Sequence, residues 1–410
     1  MTFLHPENAK YYHYGNIQGA RRLNACHIQM IGENDFQGMG DEWDALLSSS
    51  ANNNVFLTWE WLFTWWRHFQ KPDCELRVVC ARDDLGQLKG ILPLYQEFNG
   101  HSQSGGTLRF LGTGAACSEY LDLIVEKGYE GEIVCNLLQY VFEKWDTCSF
   151  ELTDIPFGSG NFKHLECTLQ ELKVPFFVGD LEICPFMELP DTVDGFYKKL
   201  KPNMRSNYKR AIKKFQERFG KMPRRLEGRE RLQSAYDALF TLHRARFDNK
   251  GERSSFLSDE MRGFHLDVGN MFLEKGWLRF YSLEVGDTPV GSLYCFAYGN
   301  RISYYQAGFD PEYEAWKVGL ILLGKGMEDG IAQGFTEFDF LRGTEFYKWN
   351  WTNTYRKTIH VTAYPRNLAG AIKCRYYRFK RMNSAKIKGI MRGSNINRID
   401  DKQLVYFPGG

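Results

Sequence analysis

At 410 residues the chain is longer than one hydrophobic core usually supports, so its length favours two domains and excludes a single small module. Apolar residues make up 43% and aromatics 15%, which excludes a disordered chain. The net charge of +2 hides two basic patches, fourteen basic against three acidic residues from Lys198 to Arg231 and eleven against two from Arg366 onward, on an acidic remainder. Such asymmetry points to an anionic or phosphate-bearing partner, although the tail by itself also fits a solvated extension.

The opening MTFLHPENAKYYHYGN has no apolar run behind a basic start and does not read as a secretory signal. The longest strongly apolar stretch, around Val318 to Leu323, falls far short of the roughly 20 residues that span a bilayer, so a cytoplasmic location is expected. The ten cysteines include no C-x-x-C pair and read as reduced, mostly buried thiols.

In chain order, TWEWLFTWWRHF (Thr58 to Phe69) places Trp59, Leu62, Phe63, Trp66 and Phe69 at helical steps behind a possible Thr58 N-cap. Glu75 to Asp83 and Leu88 to Phe98 read as a hairpin. TLRFLGTG, the strand EYLDLIV, a helix over about Gly131 to Lys144 and the strand Cys148 to Ile155 complete an αββ…βαβ order. The order recurs later, with hairpin strands across Gly276 to Trp316, a helix over about Val318 to Gly334 and the strand Thr336 to Gly343. LRVVCARDDLGQLKGILPLY parallels LRFYSLEVGDTPVGSLYCF, and SFELTDI parallels EFDFLRG, so an internal duplication is expected. The fold class is mixed α/β: an N-terminal extension (1–24), two similar halves (25–180 and 181–365), each a mixed central sheet flanked by helices, and a basic tail (366–410). Between the cores, residues 201–220 form a helix with Met204, Tyr208, Ile212, Phe215 and Phe219 on one side and basic residues around the rest; a second helix runs from about Leu232 to Phe247.

No G-x-S-x-G, H-E-x-x-H, G-x-x-x-x-G-K-[ST] or EF-hand pattern is present, and Gly112-Thr113-Gly114 lacks the third glycine of a dinucleotide fingerprint. The histidines stand singly, so His243 and His265 are expected at the surface or core edge, not as metal ligands, and no metal is expected. Trp59, Trp61, Trp65 and Trp66 invite a sugar-stacking reading, but helical spacing assigns at least two of them to the core.

Seven segments in order, NVFLTWEWLFTWWRHF, LRFLGTG…SEYLDLIV, CPFMELP, KPNMRSNYKRAIKKF, LHRARFDNKG, YYQAGFDPEYEAW and FDFLRGTEFYKWNW, resemble the acetyltransferase-type domain of the CelD-like group linked to cellulose or exopolysaccharide biosynthesis. That group is similar to the FemABX peptidoglycan aminoacyltransferases and belongs to the GNAT superfamily. The resemblance covers about residues 40–360 and implies two tandem GNAT-like (acyl-CoA N-acyltransferase) domains. It implies an acyltransferase with acyl-CoA, such as acetyl-CoA, as co-substrate, acting on an amine or hydroxyl of a cell-envelope or polysaccharide precursor. Two alternatives stand beside it: a FemABX-like aminoacyltransferase that uses aminoacyl-tRNA, and a non-catalytic glycan-binding or scaffold protein for polysaccharide biosynthesis. Peripheral contact with a membrane or a polysaccharide synthase fits the same picture.

N-acyl transfer from a thioester needs a carbonyl held beside a splayed strand, a pyrophosphate at a helix N-terminus and an unprotonated amine. The strand Arg301 to Phe309 and the helix opening at Lys317-Val318-Gly319 suit this, with amides near Lys317, Val318 and Gly319 facing phosphate oxygens. Gly319, Gly324, Gly326 and Gly330 fit equally well as close-packing positions. The usual GNAT pattern of Arg or Gln, two residues, Gly, one residue, Gly or Ala is absent. Alternation puts Asp339 inside an apolar strand, where it is expected to meet Arg342, Lys348 or substrate. Lys348 matches, by the resemblance, a lysine that FemABX-like enzymes present near substrate phosphates. Tyr304, Tyr305, Gln306 and Tyr347 are expected to line the site, with a tyrosine protonating the leaving thiolate; no general base stands out. Arg205, Lys209 and Arg210 on the basic helix suit a tRNA backbone, a sugar nucleotide or a membrane surface.

Overall fold

The computed structural model describes residues 26–98, 105–179, 182–248, 256 and 258–391. The strands are β1 (His27–Ile31), β2 (Cys74–Arg82), β3 (Leu88–Glu97), β4 (Thr107–Phe110), β5 (Ile124–Val125), β6 (Ser149–Pro156), β7 (Phe176–Val178), β8 (Glu182–Glu188), β9 (Arg224–Arg225), β10 (Leu278–Val285), β11 (Thr288–Tyr298), β12 (Arg301–Phe309), β13 (Glu337–Asp339) and β14 (Tyr355–Ala363). The helices are α1 (Glu33–Gly38), α2 (Gly40–Ser49), α3 (Trp59–Phe69), α4 (Glu130–Lys144), α5 (Gly160–Glu171), α6 (Val193–Lys199), α7 (Pro202–Phe219), α8 (Leu232–Asp248), α9 (Asp259–Glu274), α10 (Val318–Ala332), α11 (Phe346–Trp351) and α12 (Leu368–Met391).

One 14-stranded mixed sheet runs β1-β2-β3-β4-β6-β14-β8-β13-β12-β11-β10-β9, with β5 on β3 and β7 on β14. The expected duplication is visible in its topology. In the first half β2, β3 and β4 pair antiparallel in turn and β4 runs parallel to β6; β10, β11, β12 and β13 repeat that pattern. The next strand beside β6 is β14, which follows the β10–β13 repeat in sequence, and the next beside β13 is β8, which follows the β2–β6 repeat. The halves thus exchange their closing strands.

Pleat alternation divides the core. On β11, Tyr294 and Phe296 face one hydrophobic cluster with α8 and α9, whereas Leu293 and Cys295 face another with α7 and α10. The Thr58 hydroxyl caps α3 by accepting from Trp61 N–H. This helix departs from the expected single stripe: Glu60, Trp61, Thr64 and Trp65 are buried too, because α9 covers its other side. Phe264 meets the Trp61 ring edge-on at 4.9 Å. Trp59 is held as well, its indole N–H donating to Phe36 O at 2.7 Å, so all four tryptophans are packing residues.

Two other expectations need correction. His243 and His265 are not at the surface; they are 1% and 0% exposed, because α8 and α9 press them against β11 and β12. Desolvation holds His265 down to about 3, so it is a neutral imidazole between the Tyr294 and Tyr305 hydroxyls, both 3.3 Å away. The strands expected over EYLDLIV and TEFDFLRG shrink to β5 and β13, since Tyr120 and Leu341 adopt left-handed φ values of 56° and 57° that end extended pairing. All ten cysteines are free; Cys80, Cys148, Cys184, Cys295 and Cys374 are buried, while Cys117 is exposed.

Candidate active site

The site begins where two parallel strands part. β12 and β13 hold register for only three pairs, Arg301 with Glu337, Ile302 with Phe338 and Ser303 with Asp339. Beyond them Phe340 N–H turns to Pro185 O at 2.9 Å, and Leu341 takes its left-handed φ. On the other bank, Gln306 pairs with Tyr294 while Tyr304 pairs with Cys295, which leaves Tyr305 as the extra residue of a bulge. From Tyr304 onward the free edge of β12 therefore faces a cleft.

That cleft holds a cavity of about 340 Å³. β12 contributes Tyr304, Tyr305 and Gln306; the chain after β13 contributes Arg342, Glu345, Tyr347 and Lys348; the first half contributes Cys117 and Glu119. Lys348 is 3% exposed, and its ammonium donates to Leu341 O at 3.2 Å and Arg342 O at 2.6 Å and pairs with Glu345 at 3.1 Å. It thereby fixes the turn that forms one wall.

Glu119 is the residue that sequence reasoning missed. Both its oxygens accept the Arg342 backbone N–H at 2.8 Å, across 223 residues of chain, and the Arg342 guanidinium lies 3.7 Å away. Burial pushes its carboxyl up to about 8, only partly countered by Arg342, and the nearby Asp339 and Asp154 add to the rise. A glutamate that releases its proton near neutrality, inside a cavity, is suited to proton transfer. Arg342 is charged, held between Glu119 and Asp154, the latter at 3.0 Å.

The first half repeats the splay. β4 and β6 pair from Thr107 to Arg109, then part around a cavity of about 370 Å³ lined by Thr113, Gly114, Thr153, Asp154 and His360. Arg342 lines both cavities and so stands at their common wall.

The structure brings Tyr304, Tyr305, Gln306, Arg342, Tyr347 and Lys348 together and places the other candidates elsewhere. Asp339 lies behind the wall, 0% exposed. Its partners are neither Arg342 nor Lys348: it accepts from the Tyr120 hydroxyl at 2.8 Å, from Arg356 at 3.3 Å and from Leu341 N–H at 2.9 Å. Arg356 comes from β14, whose insertion beside β8 could not be read from local pattern. Lys317, Val318 and Gly319 sit at the start of α10, outside the cavity; no side chain caps this N-terminus, and the exposed Lys317 ammonium bonds the Asn207 side chain. The glycines separate into two kinds. A Cβ on Gly319 would come no nearer than 3.8 Å to Phe309, whereas one on Gly324 would fall 2.2 Å from the Tyr208 ring and one on Gly330 2.5 Å from Ile302. Arg205 and Lys209 lie on α7, the first donating to Tyr197 O at 3.3 Å and the second 4.6 Å above the Tyr197 ring.

The sequence profile of the acetyltransferase (GNAT) domain matches residues 202–349, which include β12, α10, β13 and the cavity residues of the second half. The crystal structure of FemX has a TM-score of 0.56 at 12% identity, covering 83% of this chain and 98% of FemX. The C-terminal domain of a protein assigned as a lysylphosphatidylglycerol synthetase, from Agrobacterium fabrum, has a TM-score of 0.50 at 10% identity, covering 82% of this chain and 93% of that one. No curated protein sequence matches. At such identities the structural likenesses speak for the fold, and the profile speaks for the domain. The chain therefore carries a GNAT-type acetyltransferase domain over residues 202–349, set within a larger fold that it shares with FemX.

Proposed function

We propose that this acyltransferase moves an acyl group from acyl-CoA onto an amine, or second to that a hydroxyl, of a cell-envelope or polysaccharide precursor in the cytoplasm. The observation that carries this reading is the splayed β12–β13 pair with its bulge at Tyr305 and the cavity between the strands. A thioester lying along the free edge of β12 would meet backbone N–H groups there, which favour the oxyanion of a tetrahedral intermediate. The uncapped start of α10 offers its first amides, with Lys317 beside them, to the pyrophosphate. Glu119 takes a proton from the ammonium form of the acceptor. The free amine attacks the carbonyl carbon, the carbon–sulfur bond breaks, the thiolate takes a proton from the Tyr347 hydroxyl or from water, and the proton that the nitrogen loses as the amide forms restores that donor. Lys348 and Arg342 set the far wall, and the first-half cavity behind Arg342 shapes the acceptor side.

A second reading is favoured by the position of α7. This basic helix packs on α10 and on the segment before it, with Phe219 4.8 Å from Trp316 and Asn207 on Lys317. A donor longer than CoA, such as an aminoacyl-tRNA, would find Lys209 and its neighbours along its phosphates. Thermal unfolding with and without acetyl-CoA, longer acyl-CoAs and CoA separates the readings. A donor at a hundredfold excess over Kd adds about 2.7 kcal/mol, a rise of a few degrees, which Lys317→Ala should reduce. No shift with any CoA species would refute the acyl-CoA reading and leave the tRNA donor or a binding-only protein.

A further inference from the structure

Helix α12 leaves β14 and docks by one side only. Cys374 is 5% exposed, Tyr377 stacks on Tyr364 at 6.2 Å, and Arg378 donates to Phe176 O at 2.8 Å. On the opposite side, Leu368, Ile372, Tyr376 and Phe379 are 78%, 60%, 58% and 65% exposed. At 3.6 residues per turn these four fall within an arc of about 80°, with Arg375 on one margin and Lys373 and Lys380 on the other. Scattered apolar residues on a surface are ordinary; an aligned stripe of four large ones is an interaction face.

Charge indicates what covers it. From Arg366 to Ile399 the sequence has ten basic residues and no acidic one. A nucleic-acid backbone would use the basic margins but gains nothing from Leu368, Ile372 and Phe379 in solvent. A helix with an apolar stripe between basic margins matches the boundary of an anionic bilayer, where rings and aliphatic chains enter the acyl region and lysines and arginines meet phosphates. No described helix is long and apolar enough to cross a membrane, so the contact lies in the plane. We propose that α12 holds the protein on the surface of anionic phospholipid bilayers, its 368/372/376/379 stripe inserted. The proposal is independent of which acyl donor the cleft takes.

The test is co-sedimentation of the full chain with phosphatidylcholine vesicles and with vesicles in which about a third of the lipid is phosphatidylglycerol. Binding is expected to the anionic vesicles and to weaken at about 0.5 M salt, where charges are screened within a few ångströms. The double variant Ile372→Glu/Phe379→Glu should bind roughly tenfold or more weakly, from lost apolar burial. Lys373→Ala/Lys380→Ala should bind roughly tenfold or more weakly as well, at about fivefold per charge. Both should melt with the parent, because the replaced side chains are exposed. Failure to sediment with anionic vesicles would overturn the proposal, as would binding indifferent to the Ile372/Phe379 pair. Binding to RNA through the basic margins, with the apolar variant unaffected, would also overturn it.

Discussion

Replacing Asp339 by asparagine separates a structural carboxylate from a catalytic one. One oxygen accepts Leu341 N–H, and asparagine keeps that bond; the other accepts from Tyr120 at 2.8 Å and faces Arg356 at 3.3 Å, where asparagine presents an NH2 group instead. Arg356 is 4% exposed and keeps its ion pair with Glu337 and its place over the Phe186 ring. Breaking one side of a buried charge pair costs about 3–5 kcal/mol, and the surviving Glu337 contact places the loss near the lower end, about 3 kcal/mol. Tyr120→Phe, which removes one charge-assisted hydrogen bond, should cost about 1.5–3 kcal/mol. Urea unfolding followed by tryptophan fluorescence measures both, and donor-induced thermal shifts on the folded Asp339→Asn protein should equal those of the parent, since Asp339 does not line the cavity. An asparagine variant as stable as the parent but unable to bind donor or transfer would refute this reasoning and put Asp339 on the substrate.

Glu119→Gln tests the proposed base through pH. A carboxyl raised to about 8 in the fold stabilises the protein below its unfolded value and loses that contribution as pH climbs to about 8. Between about pH 6.5 and 8, stability of the parent should fall by an amount that the glutamine variant does not show, and acyl transfer should drop about 10²–10⁴-fold; an unchanged slope and rate would rule Glu119 out. His265, held down to about 3, has the opposite sign: its contribution is lost as pH falls from about 6.5, and His265→Phe should flatten that acid limb in calorimetry. Gly324→Ala should destabilise by about 1–3 kcal/mol in urea despite alanine's better helix propensity, because its methyl meets the Tyr208 ring; a stabilised variant would show that α7 yields freely.

Local chemistry made much of the fold legible. The Thr58 cap, the two hairpins and the repeated order of elements are properties of short windows, and apart from the shortened β5 and β13 they recur in the structure with boundaries shifted by a residue or two. What depends on distant chain was not legible. The stripe on α3 reads as one-sided because nothing nearby announces that α9, two hundred residues on, covers the other face. Alternation through FDFLRG carries no sign that Leu341 turns left-handed and opens the cleft. Six candidate residues lie in segments on either bank of that opening and meet there. Glu119 opens EYLDLIV, which reads as a strand, as a single acid before an apolar run; only its meeting with Arg342 makes it chemically distinctive.

The exchange of β8 and β14 also bears on how the protein is made. Chain emerges from a ribosome at about 5–20 residues per second, so β6 leaves about 200 residues, or roughly 10–40 s, before its neighbour β14. Throughout that interval the nascent first half carries an open edge from Ser149 to Pro156, the kind of edge that recruits strands from other chains. The newborn first half thus depends on the last part of the fold to be translated, and slow translation or truncation before Tyr355 exposes it to self-association.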